Sequence, residues 1–294
     1  MTIQFATTPT LRVAYERGGP VGGPPVILLH GWPDDVRTFE RMVPAVQGAG
    51  FQTVVPWLRG FGPTSFLSSE TMRSGEMVAM AQDTLDLADA LKLNTFAVVG
   101  HDWGARIAYV LAAVHPERTT RICAMSVGWQ PGELPTPALE QIRKYWYQWF
   151  MATDRGSEAV RRDRKAFARI QWETWAPRGW FDEGEFEITA KSFENPDWPD
   201  ITLHSYRVRW GEADKDPRYR DIDRRAKAAQ TISVPTLMIQ GGADGVTLAD
   251  TTDGKEKHFA GGYQRHVLDG VGHFPTREAP DAVNRLLIDF LKTK

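Results

Sequence analysis

Short apolar runs alternate with longer stretches of helical periodicity through the first half of the chain. Residues 26–29 and 51–57, the latter centred on Thr53, Val54 and Val55, are short and rich in β-branched side chains. Such runs mark strands buried on both faces. Over residues 77–91 the apolar positions Val78, Ala81, Leu85, Ala88 and Leu91 fall on one helical stripe. Residues 96–99 read as a strand again, 105–114 as an almost wholly apolar helix, and 122–127 as a further strand. Strands alternating with helices predict right-handed crossovers and a parallel sheet covered on both sides. Beyond about Gly128 the rhythm changes. Residues 129–227 carry no run suited to a buried strand, only helical stretches rich in aromatics and Arg and broken by Pro and Gly. The α/β rhythm resumes with strands at 234–240 and 266–268 and a closing helix at 279–291, whose stripe is Val283, Leu286, Leu287, Phe290 and Leu291. The expected architecture is an α/β core made of residues 1–128 and 228–294, interrupted by a helical cap domain at 129–227.

Composition narrows the function classes. A chain of 294 residues buries a large core without disulfide staples, and its 1 Cys excludes an internal disulfide. Cys123 lies in an apolar run and reads as a small core residue. With 35 Lys+Arg against 37 Asp+Glu the net charge is -2, which gives no field to collect nucleic acid or an anionic membrane. The basic run 161–165 reads as a solvated helix face. No N-terminal signal pattern is present and the apolar runs fall far short of the ~18 residues that span a bilayer, so a soluble, cytoplasmic protein is expected. No His/Cys/acid spacing suggests a metal, and neither GxGxxG nor a P-loop occurs, so neither metal nor cofactor is expected. Tryptophan is abundant at 11. Three (Trp32, Trp57, Trp103) precede the insertion and the other eight lie within it, which suggests a lid with an apolar pocket beneath.

The chemistry concentrates at four loops. Gly100-His101-Asp102-Trp103-Gly104 sits between the strand at 96–99 and the following helix. That is the sharp strand–turn–helix setting in which a nucleophile stands exposed between two glycines; here the nucleophile position holds Asp102. His30-Gly31-Trp32-Pro33 follows the strand at 26–29 and offers the backbone N–H of Trp32, which with that of Trp103 would form an oxyanion hole. Asp244 follows the strand at 234–240, and His273 follows the one at 266–268. The order nucleophile, acid, histidine is that of the α/β hydrolases and differs from two unrelated triads. A carboxylate nucleophile attacks an sp³ carbon and leaves an ester on the enzyme, which a histidine-activated water then cleaves.

These segments, together with Arg59-Gly60-Phe61-Gly62, resemble the α/β-hydrolase superfamily over essentially the whole chain, and within it the epoxide hydrolase branch most. The resemblance implies conversion of an apolar epoxide to a vicinal diol, with water as the second reactant. It also implies two cap tyrosines acting on the epoxide oxygen. Tyr147, with Tyr145 as the fallback, and Tyr206 occupy the matching segments. His30, Trp103 and Gln148 are the expected substrate contacts. Haloalkane and haloacetate dehalogenases share the aspartate nucleophile and form the alternative. Where fluoroacetate dehalogenases have an Arg after the nucleophile and a His-Trp pair, this chain has Trp103, Tyr147 and Gln148, although Arg106 is retained. A ligand-binding receptor of the same fold is a third reading, which the complete Asp102–Asp244–His273 set argues against.

Overall fold

The computed structural model describes residues 2–132 and 136–293. Its centre is a nine-stranded sheet whose strands are β1 (Ile3–Thr7), β2 (Leu11–Gly18), β3 (Pro25–Leu29), β4 (Gln52–Pro56), β5 (Ser65–Phe66), β6 (Phe96–His101), β7 (Thr119–Met125), β8 (Thr236–Gly241) and β9 (Tyr263–Leu268). The order across the sheet is β1-β2-β4-β3-β6-β7-β8-β9, with β5 paired to β2. From β4 to β9 every pairing is parallel, whereas β1, β2 and β5 pair antiparallel. The strands read from apolar runs are present within a few residues of their expected limits. All six residues of β6 and of β8 are buried, as expected of central parallel strands covered on both faces.

The antiparallel β1–β2 hairpin was not anticipated. Most of β1 is exposed, so it carries no apolar run; the one sequence signal is the period-two set Leu11, Val13 and Tyr15 in β2, all buried. The strand expected at 266–268 extends back to Tyr263. This edge strand is only half-buried, so its polar residues hid its first half.

Between β7 and β8 the described residues form helices and no strand. Four of these helices are Trp146–Ala152, Arg164–Thr174, Glu183–Ala190 and Trp198–Arg209. Side-chain caps start two of them: Asp163 accepts from the Ala166 N–H at 2.9 Å and Asp182 from that of Glu185 at 2.9 Å. The helix Arg220–Ala228 packs instead against the core helices Trp103–Val114 and Met77–Ala90.

Polar contacts seat the insertion on the core. The indole of Trp172 donates to the Pro33 carbonyl at 2.7 Å, that of Trp57 to Ser192 at 3.2 Å, and that of Trp32 to Thr202 at 3.0 Å. Arg59 is buried. It forms a two-pronged pair with Asp83 at 2.6 and 2.7 Å and also donates to the Ser74 and Ala79 carbonyls and to the Tyr219 hydroxyl. Among the described residues no helix is long and apolar enough to cross a membrane.

Candidate active site

Asp102 stands at the junction of β6 and the helix Trp103–Val114 with φ 51° and ψ −108°, a backbone region that costs a non-glycine residue on the order of 1–3 kcal/mol. The surroundings hold it there. Its N–H donates to the Met125 carbonyl of β7 at 3.1 Å, and the flanking glycine lets the helix approach the sheet: a Cβ on Gly104 would stand 1.8 Å from the Leu29 carbonyl oxygen. Gly31 is equally constrained, since a Cβ there would lie 2.5 Å from that of Asp102. This close approach brings the Trp32 N–H to Oδ1 of Asp102 at 2.9 Å. Trp103, the first residue of its helix, has a backbone N–H with no acceptor inside the helix.

The acid and the histidine arrive on the loops after β8 and β9. Nδ1 of His273 lies 2.8 Å from Oδ2 of Asp244. The other carboxylate oxygen, Oδ1, accepts the backbone N–H groups of Val246 and Thr247 at 2.8 Å each, and Gln240 donates to Oδ2 at 3.2 Å. These bonds orient the carboxylate, and the carboxylate orients the imidazole. Nε2 of His273 faces Oδ2 of Asp102 at 3.6 Å and has no hydrogen-bond partner among the described residues. The His273 carbonyl accepts from Ser126 at 2.8 Å and lies 2.7 Å from Nε2 of His101, so His101 carries its proton on that nitrogen and serves as a strut. Its ring packs 5.1 Å from that of His273.

The charges of this cluster reinforce one another. Burial works against the charged form of His273, but Asp244 and Asp102 outweigh it and push its pKa up to about 10. Burial likewise disfavours the Asp102 carboxylate, yet His273, His101 and the Trp32 N–H together hold its pKa down at about 2. At neutral pH Asp102 and His273 therefore rest as carboxylate and imidazolium.

Both expected tyrosines face this group. The Tyr147 ring stacks on Trp32 at 5.6 Å and the Tyr206 ring meets Trp32 edge-on at 5.1 Å; the two phenol rings lie 5.3 Å apart. Burial and the Asp102 charge push both phenol pKa values up, in Tyr206 with the Tyr147 ring adding to the effect. Their hydrogen-bond roles follow from the chemistry of their partners. An indole N–H only donates. The Trp103 indole therefore donates a hydrogen bond to the Tyr206 hydroxyl oxygen, at 3.2 Å. Likewise the Trp210 indole donates to the Gln148 carbonyl oxygen at 3.0 Å, which turns the Gln148 amide nitrogen to the Tyr147 hydroxyl at 2.8 Å. Each phenol oxygen thus accepts one bond and keeps its own proton to give away.

Several expected contacts look different in three dimensions. Gln148 supports Tyr147 rather than presenting free polar atoms, and the Trp103 indole is committed to Tyr206. His30, expected to touch substrate, is fully buried with both ring nitrogens occupied: Nδ1–H faces the Gly31 carbonyl at 2.9 Å and Nε2 accepts the Leu58 N–H at 3.1 Å. Burial pushes its pKa down to about 4, so it is a neutral brace between two loops. Tyr145, the fallback, packs beside Trp210 at 6.5 Å. Trp175 was not singled out from sequence, having no motif around it. Its ring lies 4.9 Å from that of His273 and 5.0 Å from that of Tyr147. Its carbonyl accepts the N–H of Gly245 at 2.8 Å and of His273 at 3.1 Å, joining the acid and histidine loops. Among the described residues no group of three or more His, Cys, Asp or Glu side chains is placed to hold a metal ion.

Residues 24–280 match the alpha/beta hydrolase fold family. The crystal structure of a "putative epoxide hydrolase" from Klebsiella pneumoniae superposes with a TM-score of 0.93 and is 34% identical, covering 99% of this chain and 97% of its own. An epoxide hydrolase from an endophytic Streptomyces has a TM-score of 0.80 at 26% identity, over 99% of this chain and 95% of that one. Epoxide hydrolase A of Mycobacterium tuberculosis is 25% identical over 99% of this chain and 97% of its own length. The chain belongs to the α/β hydrolase family, and the three full-length relatives above are described as epoxide hydrolases.

Proposed function

We propose that this protein is an epoxide hydrolase that opens an apolar oxirane through a covalent ester on Asp102. The observation that carries the reading is the pair of phenols that each accept one hydrogen bond and keep their own proton free to donate. Tyr206 already accepts from Trp103 and Tyr147 from Gln148, beside a carboxylate nucleophile. An oxirane oxygen needs such donors as its C–O bond breaks. A halide needs free N–H groups instead; the indoles of Trp32 and Trp103 are both engaged, and among the described residues the buried indole left without an acceptor is that of Trp198.

Oδ2 of Asp102 attacks a ring carbon while Oδ1 stays on the Trp32 N–H. The ring C–O bond breaks and its electron pair takes a proton from a phenol. Loss of the Asp102 charge removes part of what raised the His273 pKa, and the proton that His273 releases balances the one the phenol gave. Neutral His273 then takes a proton from water as the hydroxide oxygen bonds to Cγ of Asp102. The charge that forms on Oδ1 meets the Trp32 N–H, with the Trp103 N–H as the second donor. Collapse expels the diol oxygen, which takes the His273 proton. The Asp102 acid then returns its own proton to the imidazole, restoring the resting pair.

A single-turnover reaction with excess enzyme in heavy-oxygen water tests this route. The first diol should carry mostly unlabelled oxygen, because that atom comes from Asp102. Prompt, full labelling of the first product would refute the covalent step.

A further inference from the structure

A cavity of about 570 Å³ adjoins the Trp103–Tyr206 pair, both of which line it. Two arginines enter it beside the reacting groups. Arg106 lies one helical turn beyond the nucleophile, its N–H donating to the Asp102 carbonyl at 3.1 Å, and so shares that face of the helix. Arg209 lies three residues beyond Tyr206 on the helix Trp198–Arg209, again on the same face.

Neither guanidinium has a carboxylate in ion-pair range among the described residues. Nε of Arg209 is buried without an acceptor, and its guanidinium lies over the rings of Tyr145 and Trp210 at 5.5 and 5.4 Å. Burial, and then the charge of Arg209, push the Arg106 pKa down, so the two cations oppose each other. Among the described residues, the two acids that line the cavity have other partners. Asp223 lies between Lys215 at 2.6 Å and Lys227 at 3.7 Å, and Glu76 accepts from Ser74 at 2.9 Å and from the Asp216 N–H at 2.8 Å. Two half-buried cations that share a cavity wall without a carboxylate partner repel each other, and an anionic ligand in the cavity relieves that repulsion.

Building on the epoxide reading above, we propose that Arg106 and Arg209 bind the carboxylate of an epoxide acid. The substrate class is thus an oxirane bearing a carboxylate, and the product is the corresponding dihydroxy acid. The guanidinium fork suits a planar carboxylate. It also answers an electrostatic demand, because an anionic substrate is otherwise repelled by Asp102. With the arginines in place, two positive charges face the substrate carboxylate and the nucleophile. The carboxylate takes no part in bond making; ring opening and ester hydrolysis run as above.

The test compares kcat/KM for 3-phenylglycidate with that for its primary amide, a neutral substrate of the same shape. The wild-type protein should favour the acid by at least about 100-fold. Arg106→Met or Arg209→Met should each lower the acid-to-amide ratio at least about tenfold, and because the readout is a ratio, a general loss of folded protein cancels. In parallel, calorimetry follows binding of unreactive 3-phenylpropanoate to the wild-type and variant proteins. Equal turnover of acid and amide, or a ratio the variants leave unchanged, overturns the proposal. Arginine-dependent binding of 3-phenylpropanoate with neither epoxide turned over upholds the anion site and instead overturns the epoxide reading. Absence of binding to the wild-type protein overturns the anion site.

Discussion

Replacing His273 by glutamine should stop the reaction half-way. Ring opening needs the Asp102 carboxylate and a phenol, both of which remain. Ester cleavage needs a base at Nε2, the one polar atom facing Asp102 from that side, 3.6 Å from Oδ2. General-base catalysis contributes about 10²–10⁴-fold, equivalent to roughly 3–5 kcal/mol of barrier. The second step should slow by that factor and the alkyl-enzyme should accumulate. The substitution is local: Asp244 keeps the Val246 and Thr247 N–H groups and Gln240, and residue 273 keeps its backbone bonds to Ser126, His101 and Trp175. One side effect has a defined direction. Asp102 loses the imidazolium that holds its pKa down at about 2, so the pH below which alkylation fades should rise. The assay is intact-protein mass spectrometry after mixing the variant with stoichiometric styrene oxide or 3-phenylglycidate, followed by peptide mapping. One adduct per chain, on Asp102, is expected. A folded variant that turns over within tenfold of wild type, or that is alkylated elsewhere, refutes the assignment of His273 as base and Asp102 as nucleophile.

Other outcomes follow from the same geometry. Tyr206→Phe should lower epoxide kcat by about 10²-fold or more while leaving any bromoalkane turnover nearly unchanged; equal effects on both would remove Tyr206 from the ring-opening step. Arg59→Met leaves Asp83 as a buried, unpaired carboxylate, and urea titration should show a loss of about 3–5 kcal/mol; a loss below 1 kcal/mol would mean the pair is solvated. His30 is held neutral with its pKa down at about 4, against 6.5 when unfolded. The unfolded chain therefore binds the extra proton, and His30 makes stability fall as pH drops from 6.5 towards 4, by roughly 3 kcal/mol. His273 acts in the opposite sense: its pKa is raised to about 10, so its stabilisation is complete below pH 6.5 and is lost as pH rises through 10. Thermal melts of His30→Asn and His273→Gln across pH should flatten the acid and alkaline limbs respectively, and unchanged limbs would contradict these protonation states.

The parallel core was legible because strands covered on both faces must be continuously apolar, so β3, β4, β6, β7 and β8 each announce themselves. The β1–β2 hairpin was not, because a strand facing water spends half its positions on polar side chains, and β1 has no apolar run at all. Asp102, Asp244 and His273 were legible as candidates because each follows a strand and has a glycine within two residues, which records how closely backbones must approach there. The helix Arg220–Ala228 was assigned to the insertion because its sequence is polar and helical like the rest of it; only packing shows that it rests on the core.

Sequence alone determined the fold class and marked the sharp turn at Asp102 and the loops of Asp244 and His273 as candidates, since those depend on local periodicity and on turns that few residues can make. Tertiary structure decided what each polar side chain is free to do. His30 and Gln148 look like substrate contacts until their partners are known, and Trp175 carries no signature although its carbonyl ties two loops together. The same holds for Arg106 and Arg209, which lie 103 residues apart in sequence and meet only across the interface of cap and core. Whether a buried donor or charge is satisfied is a property of its neighbours in space, and no pattern along the chain encodes it.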